Sequence, residues 1–462
     1  MRSRTRLLIP LVVLALVTVA CGINLPSSTT IDTVATNVAG TVQALAGTAV
    51  VALTPEAHAL PTVELPTVEL PTVAPAPVLP PLHLSFVSPD RDLYVWDESM
   101  PTAQKIVDSG DVSATAISAD GSLVAYTRSA DYNNYSLEVI AFGGSGQQVL
   151  MDAAAFAALP HPGGVVSSIP SQMAFVPSTH TLAFNIRQQY DGPGLSFGTA
   201  LYLANMDSGT ISSILDVGSA WKFTYSPDGS KIAISLPTGI AIYNADGSLV
   251  DGNVLTYPFV NTASEYAWVA SPAWSADSTT LLVAVPPQDP WTEPVGNGSF
   301  WRVAADGLSG EQTMDTPMMY FPSGFAFISP DLTKVIFFTR LGAPTDNTQT
   351  LHTASVDGTA DIEYTTGKFD STAAWSPDNV HFFYTVRDGP ATISYIGAIG
   401  AAAVLVPDIT NARDITWVDA TRYIVSTTAG GSGSMLLGNL SAPTGVIFNG
   451  SGSDFMSFSV NR

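Results

Sequence analysis

The sequence predicts an all-β protein, a β-propeller of four-stranded antiparallel blades, and three observations support this prediction. Short β-type runs separated by turn residues fill the chain from residue 83 onward. A Ser-Pro-Asp-Gly-like unit recurs along this region, and an Asp-Gly pair often marks a second hairpin within the same period. A period of about 40–50 residues filled with short strands is typical of propeller blades.

The recurring unit is clearest in four copies: YSPDGSKIAIS (225–235), WSADSTTLLVA (274–284), ISPDLTKVIFF (328–338) and WSPDNVHFFYT (375–385). Weaker copies begin at residues 117, 175 and 417. Proline presets φ for a turn, and Asp and Gly accept the backbone angles that follow, so we interpret Asp228 and Asp378 as turn formers. A second hairpin, as in IAIYNADGSLV, completes strands a to d of each blade.

The two ends of the repeat region predict how the ring closes. The first runs, HLSFV, DLYVWD and AQKIVD, correspond to strands b, c and d of a blade that lacks its inner strand a. The run DFMSFSV (454–460) remains after the last blade. We expect this C-terminal strand to complete the first blade, which removes the free sheet edges. Eight blades is the predicted count, with seven as the alternative.

The repeated aromatic-Ser-Pro-Asp-Gly turn followed by β-branched residues and an Asp-Gly hairpin resembles the TolB-like propellers with PD40-type, WD40-like repeats. The resemblance covers roughly residues 84–460. It implies the propeller fold. It implies no single activity, because this family includes both scaffolds and enzymes.

Residues 1–20 have the pattern of an export signal, with three arginines in the first six residues and an apolar run over Leu7–Val17. This run is shorter than the ~20 residues that a membrane-spanning helix needs. Cys21, the only cysteine, follows small residues and resembles the lipobox of bacterial lipoproteins, although Thr18 stands where that family prefers Leu. The resemblance implies that Cys21 is lipidated and anchors the chain to the cell membrane or envelope, outside the cytoplasm. The alternative is ordinary signal cleavage beside a coincidental thiol.

Residues 21–82 are predicted to be a spacer rather than a domain. Apolar residues three and four apart indicate a weak amphipathic helix over 31–48. The Pro/Thr-rich stretch 61–82 favours extended polyproline II and forms a semi-rigid stalk. A ligand for proline-reading modules is the alternative interpretation of this stretch. The propeller domain is expected to occupy residues 83–462.

The acidic composition excludes one class of partner. The chain has 17 Lys and Arg against 39 Asp and Glu, for a net charge of −22. Such a surface repels phosphate backbones, so we expect no nucleic-acid partner. No cofactor or metal site is predicted either, because no EF-hand pattern occurs and the histidines lack metal-binding spacing. The histidines stand at 58, 83, 161, 180, 352 and 381.

Long, variable connections on one face of the predicted ring are where we expect a ligand. The b–c loops at 129–136, 188–198, 286–299 and 341–349 are long, and the d–a connection 153–170 is longer still. Four aromatic residues in or beside these loops suit carbohydrate or peptide contacts. They are Tyr132, Tyr135, Tyr190 and Trp291. The alternative is that they pack against their own loops.

Two short motifs resemble catalytic ones without their structural setting. GLSFG (194–198) matches the nucleophile-elbow pattern around Ser196, but it lies in a predicted b–c loop and leads into a strand rather than a helix. SAWK (219–222) matches S-x-x-K, but it leads into an inner strand. No catalytic residue is therefore assigned. Paired carboxylates in the central channel stay open, since a ring brings distant residues together.

These observations lead to a hypothesis of a lipid-anchored, extracytoplasmic propeller that acts as a non-catalytic binding or scaffold module for protein or glycan ligands. The alternative is an envelope or extracellular enzyme acting on glycans or peptides with carboxylates in its channel. A structural subunit of an envelope assembly is a third possibility.

Overall fold

The structure, a computed structural model, describes residues 81–461 apart from 132–133, 162–163, 191–199, 264–265, 290–293, 320–325, 342–346, 430 and 453–456. In this part the chain forms eight four-stranded antiparallel sheets and one small two-stranded sheet. Each four-stranded sheet is one blade of a propeller. The predicted fold class and the count of eight blades are therefore confirmed, and the seven-blade alternative is wrong. Residues 1–80, with Cys21, the helix 31–48 and the stalk, lie outside the described residues.

The strands are numbered in chain order, and in blades 2 to 8 the first strand is the innermost. Blade 1 begins with β1 (His83–Val87), β2 (Leu93–Asp97) and β3 (Gln104–Val107). Blade 2 contains β4 (Val112–Ile117), β5 (Leu123–Ser129), β6 (Tyr135–Ala141) and β7 (Gln148–Met151). The helix α1 (Ala153–Ala157) follows. Blade 3 contains β8 (Val165–Phe175), β9 (Thr181–Tyr190), β10 (Leu201–Asn205) and β11 (Thr210–Leu215).

The middle of the ring continues in the same order. Blade 4 contains β12 (Lys222–Tyr225), β13 (Lys231–Leu236), β14 (Gly239–Asn244) and β15 (Leu249–Thr256). The small sheet pairs β16 (Asn261–Ala263) with β17 (Tyr266–Ala267). Blade 5 contains β18 (Ala273–Trp274), β19 (Thr280–Val285), β20 (Asn297–Ala304) and β21 (Gly310–Pro317).

Three further blades follow. Blade 6 contains β22 (Ala326–Ile328), β23 (Lys334–Arg340), β24 (Gln349–Ser355) and β25 (Ile362–Gly367). Blade 7 contains β26 (Phe369–Trp375), β27 (His381–Asp388), β28 (Ala391–Ala398) and β29 (Ala401–Thr410). Blade 8 contains β30 (Ala412–Trp417), β31 (Arg422–Ala429), β32 (Ser432–Asn439) and β33 (Gly445–Ser451). The last strand of the chain is β34 (Ser457–Val460).

The hydrophobic core lies between neighbouring blades. Successive side chains of a strand point to opposite faces of its sheet, so a blade that is covered on both sides needs an uninterrupted apolar run. In β23, Val335 and Phe337 pack towards blade 5, whereas Ile336 and Phe338 pack towards blade 7. Eight such clusters correspond to the eight interfaces between blades. For this reason the second strand of each strong repeat contains at least three consecutive buried apolar residues, such as Ile232–Ile234 in β13 and Val335–Phe338 in β23.

Tryptophans at the ends of three inner strands connect blades 5, 7 and 8 to the blade before each of them. Trp375 Nε1 donates to the carbonyl oxygen of Phe327, on the inner strand of blade 6, at 2.9 Å. Trp274 and Trp417 make the equivalent contacts with blades 4 and 7. The aromatic residue of the repeated turn therefore ends its own strand and also joins two blades.

The C-terminal strand closes the ring. β34 pairs with β1 in antiparallel register, Leu84 opposite Val460, and takes the innermost place in blade 1. The buried side chain of Asn461 then makes two hydrogen bonds to the backbone at the start of β1. Its Oδ1 accepts the His83 N–H at 2.8 Å, and its Nδ2 donates to the Pro81 carbonyl at 2.9 Å. The predicted closure is confirmed for the described strand, while 454–456 lie outside the described residues.

The d–a connection 153–170 differs from the loop that the sequence predicts. Ala153–Ala157 form α1, and β8 begins at Val165, so that β8 and β9 extend beyond the blade as a long hairpin. Pro170 lies opposite Ile186, directly before a register shift, and β8 is the inner edge strand of blade 3. Edge strands and pairing irregularities are the places where a sheet tolerates proline. Among the described residues, no helix is long and apolar enough to cross a membrane.

Candidate functional site

The two faces of the ring differ in construction. The turns between strands a and b and between c and d lie on one face, which we call the turn face. The connections between b and c and between d and the next a lie on the other face, which we call the loop face. The turn face consists of short turns of nearly constant length, whereas the loop face carries connections of very different length.

Aspartates close the turns of the turn face. Asp228 accepts the hydroxyl of Ser226 at 2.6 Å and the N–H of Ser230 at 2.9 Å. These hydrogen bonds to the ionised form hold the pKa of the carboxyl well below its usual range. Asp378 likewise accepts the N–H groups of Val380 and His381. The interpretation of these aspartates as turn formers is confirmed.

One histidine on the turn face links two blades. His180 Nδ1 lies 3.0 Å from Asp207 Oδ1, in its own blade, and its Nε2 lies 3.1 Å from Asp120 Oδ2 in blade 2. The hydrogen bonds to the two carboxylates raise the pKa of His180 above its usual value. The arrangement is an ionic contact between turns, and the carboxylates occupy both ring nitrogens.

The loop face carries the elements that the repeat does not require. The open end of the β8–β9 hairpin and α1 lie on this face at blade 3, and the small β16–β17 sheet lies between blades 4 and 5. The connection before that sheet is fixed by Tyr257, whose hydroxyl donates to the carbonyl of Leu236 and accepts the N–H of Ala270. Phe259, two residues later, is 48% exposed. An exposed aromatic side chain on a fixed connection is suited to contact with a ligand.

A cleft of ≈ 90 Å³ lies between α1 and the start of β8. Phe156, Val165 and Val166 contribute apolar side chains to its lining, and His161 and Ser168 contribute polar residues. Asp152 fixes the helix at this point, since its side chain accepts the N–H of Ala155 at 2.8 Å. The cleft is thus a small concave feature whose lining is about half polar and half apolar.

Two buried polar side chains of the β8–β9 hairpin have unused hydrogen-bonding capacity, and of these two residues only Ser168 belongs to the lining of the cleft. Ser168 and Gln188 face each other across the β8–β9 hairpin and are 4% and 2% exposed. Gln188 Nε2 donates to the carbonyl of Pro160 at 3.1 Å. Within the part of the chain that the structure describes, neither Ser168 Oγ nor Gln188 Oε1 has a hydrogen-bond partner.

The inner strands surround the channel and are joined by polar side chains. Gln172 of blade 3 acts as a bracket on blade 4: its Nε2 donates to the Phe223 carbonyl at 2.7 Å and its Oε1 accepts the Phe223 N–H at 3.2 Å. Ser457 accepts the N–H of Thr115 in the same manner between blades 1 and 2. These contacts use the backbone groups that an unpaired inner edge leaves free.

Charged side chains at the channel are few. Among the inner-strand side chains that the structure describes, three carry a charge: Lys222, Arg413 and Asp414. Lys222 Nζ donates to Ser271 Oγ at 2.6 Å, and burial lowers the pKa of this lysine. The Asp414 side chain is exposed to solvent, but the surrounding inner strands partly desolvate its carboxyl group. This desolvation raises the pKa of the Asp414 carboxyl.

The structure describes some of the residues predicted as candidates. Tyr135, the first residue of β6, is half-buried and packs against the cluster that contains Phe156. The backbone of Tyr190 ends β9. Tyr132, Trp291, Cys21 and Ser196 lie outside the described residues. Lys222 of the S-x-x-K stretch (219–222) donates a hydrogen bond to Ser271, which is not the serine of that stretch. The contribution of the four aromatic residues to binding stays a prediction.

The described residues contain no group of three or more His, Cys, Asp or Glu that could hold a metal ion. Sequence reasoning did not identify Ser168 and Gln188. The only signal for Ser168 was its place in the long d–a connection. Its unpaired state depends on the register of β8 against β9, which the residue types do not specify.

Comparison with known proteins assigns no activity to the chain. No family model matches the chain, and no curated protein matches it. Among solved structures, an oligogalacturonate lyase in complex with manganese is 14% identical with a TM-score of 0.44, covering 66% of this chain and 82% of the lyase. TolB from Acinetobacter baumannii is 16% identical with a TM-score of 0.31, covering 60% of this chain and 62% of TolB.

A third solved structure is the β-propeller domain of the Trilobed protease from Pyrococcus furiosus. It is 11% identical with a TM-score of 0.43, and the match covers 73% of this chain and 97% of that domain. Function must therefore be argued from this chain's own residues.

Proposed function

We propose that this chain is a lipid-anchored, extracytoplasmic propeller whose loop face binds a protein or glycan ligand without transforming it. The observation that carries the proposal is the difference between the two faces. The turn aspartates of the turn face are already hydrogen-bonded within their own turns. The loop face adds a helix, an extended hairpin, a small sheet and a cleft, and function is concentrated where such additions stand on a rigid scaffold.

The anchor is part of the same proposal. Cys21 would carry the lipid, and residues 22–82 would hold the propeller away from the membrane. Labelling with radioactive fatty acid tests this: we expect label on the wild-type chain and none on Cys21→Ser. Equal labelling of the two would contradict the anchor and would leave ligand binding by the loop face to be judged separately.

The loop-face proposal is tested with two matched substitutions. Phe259→Glu places a charge on the loop face, and Leu308→Glu places one in an exposed c–d turn on the turn face, where Leu308 is 85% exposed. Crosslinked cells and immobilised envelope glycans provide the two ligand classes. We expect Phe259→Glu to reduce recovery of the ligand and Leu308→Glu to leave it unchanged. Equal recovery with all three proteins, or loss with Leu308→Glu alone, would contradict the proposal.

The enzyme alternative has one observation in its favour. The raised pKa of Asp414 is what a general acid in the channel requires. Hydrolysis of a glycoside needs a second carboxylate about 5–9.5 Å away. The test is hydrolysis of envelope glycans or peptides by the wild type and by Asp414→Asn, and activity that the substitution abolishes would favour the enzyme over the binding module.

A further inference from the structure

A lysine and a serine of neighbouring blades are in contact beside the channel, where two inner strands begin. Lys222 is the first residue of β12 in blade 4, and its Nζ lies 2.6 Å from Ser271 Oγ. Ser271 stands two residues before β18, the inner strand of blade 5. Ser271 is exposed, whereas Lys222 is half-buried. The pair therefore places a hydroxyl group that a ligand can reach against a partly enclosed amine.

Lys222 has no carboxylate partner among the residues that the structure describes. Lys105, by contrast, lies 2.7 Å from Asp92 Oδ2. The described polar contact of the Lys222 amine is Ser271, whose hydroxyl carries no charge. Burial without a compensating negative charge lowers the pKa of the Lys222 ammonium. A larger fraction of this amine than of an ordinary lysine is therefore neutral and able to take a proton.

The backbone on both sides of the pair is held in place. Ala270 and Pro272, the two neighbours of Ser271, are buried, and the proline ring fixes φ there. Trp274 Nε1 donates to the Thr224 carbonyl at 3.2 Å and so joins the inner strands of blades 4 and 5 close to the pair. A serine and a base that are held at contact distance are already placed for proton transfer.

We propose that Ser271 and Lys222 form a nucleophile and base pair that cleaves a carboxylic ester through an acyl-serine. A serine hydroxyl is a weak nucleophile until an adjacent base takes its proton, and lysine serves as that base in one known type of serine site. An ester suits a pair with one proton carrier, because an alkoxide leaves more readily than the nitrogen of an amide. The inference goes beyond the proposed function, since it concerns a reaction beside the channel and not the ligand that the loop face holds.

The reaction needs no group besides the ester and water. The neutral Lys222 amine takes the hydroxyl proton of Ser271 as Oγ bonds to the ester carbonyl carbon. The bond from that carbon to the alkoxy oxygen breaks, and the departing oxygen takes the proton from the Lys222 ammonium. Water then attacks the acyl-serine in the same way, which releases the carboxylic acid and restores Ser271. β18 is the edge strand of its sheet, and backbone N–H groups on such an edge can donate to the carbonyl oxygen.

The test is labelling of the full-length chain with a biotinylated fluorophosphonate, which bonds to an activated serine oxygen and releases fluoride. Mass spectrometry locates the label. We expect it on Ser271 of the wild type and expect Ser271→Ala to abolish it. Ser219→Ala changes the serine of the S-x-x-K stretch and is the matched control, which should be labelled at the wild-type rate. Hydrolysis of p-nitrophenyl acetate should follow the same order.

Lys222→Arg separates base catalysis from a structural role. Arginine keeps the charge and can donate to Ser271, but it stays protonated in proteins and cannot act as a base. Because base catalysis contributes about 10²–10⁴-fold, we expect the labelling rate to fall at least about 100-fold, with the urea unfolding midpoint unchanged. Lys231→Arg, in the next strand, is the control and should be labelled normally. In the wild type, the labelling rate should rise with pH through the lowered pKa of Lys222 and then level off.

Four results would overturn the inference. They are absence of label from Ser271 of the wild type, labelling of Ser271→Ala at the wild-type rate, labelling of Lys222→Arg at the wild-type rate, and a wild-type labelling rate that does not change with pH. Labelling is measured without a loop-face ligand. Its failure therefore leaves the ligand-recovery experiment to be judged separately.

Discussion

Substitution of Asn461 tests the physical basis of ring closure. Its amide makes two hydrogen bonds to the start of the first blade, at 2.8 Å to the His83 N–H and at 2.9 Å to the Pro81 carbonyl, and the side chain is 4% exposed. Asn461→Ala removes both hydrogen bonds, which join the buried amide to the half-buried His83 and to the exposed Pro81. A hydrogen bond contributes about 0.5–1.5 kcal/mol net, so we expect a loss of about 1–3 kcal/mol in the free energy of unfolding.

The assay is urea unfolding followed by tryptophan fluorescence, with Asn439→Ala as the control. Asn439 accepts hydrogen bonds only from Ser441, two residues away in a turn of blade 8, among its described contacts. Its substitution removes local contacts without touching the closure, and we expect a loss below about 1 kcal/mol. An unchanged unfolding midpoint for Asn461→Ala, or an equal loss in both variants, would refute the reasoning.

Three further predictions concern the ring. Deletion of residues 454–462 removes the inner strand of blade 1 and should lower the melting temperature of the whole propeller, and unchanged melting would show that closure does not depend on it. Trp375→Phe removes the indole donor to the preceding blade and should lower the free energy of unfolding, measured in urea, by about 1–3 kcal/mol. An unchanged free energy of unfolding would show that Trp375 does not stabilise the contact between blades. The raised pKa of His180, due chiefly to Asp207, means that its ionic contacts stabilise the fold at low pH and that this contribution is lost as pH rises through the raised pKa. The unfolding midpoints of wild type and His180→Gln should therefore differ at acidic pH and converge at alkaline pH, and a pH-independent difference would contradict this.

The repeats made the architecture predictable. The structure of a turn such as Ser226–Ser230 is determined locally, because the Asp228 carboxylate accepts hydrogen bonds from Ser226 and Ser230 of the same turn. The apolar run that follows has to be covered on both faces, which requires a neighbouring blade. The inner strand missing at the start and the extra strand at the end then implied ring closure.

The features outside the repeat were not predictable in the same way. Val165 and Val166 were assigned to the long d–a connection 153–170, yet they begin β8, in which Pro170 lies opposite Ile186. The burial of Ser168 opposite Gln188 follows from that same long-range register. Likewise, Trp375 was interpreted as the end of a strand, and its hydrogen bond to the neighbouring blade depends on how two repeats pack.

The most direct test of the account is site-specific photocrosslinking in cells. A photoreactive benzoylphenylalanine replaces Phe259 on the loop face in one strain and Leu308 on the turn face in another, both positions being well exposed. If the loop face binds the ligand, irradiation yields a discrete protein or glycan adduct from position 259 and none from position 308. Adducts of equal yield from both positions, or an adduct from position 308 alone, would contradict the central claim.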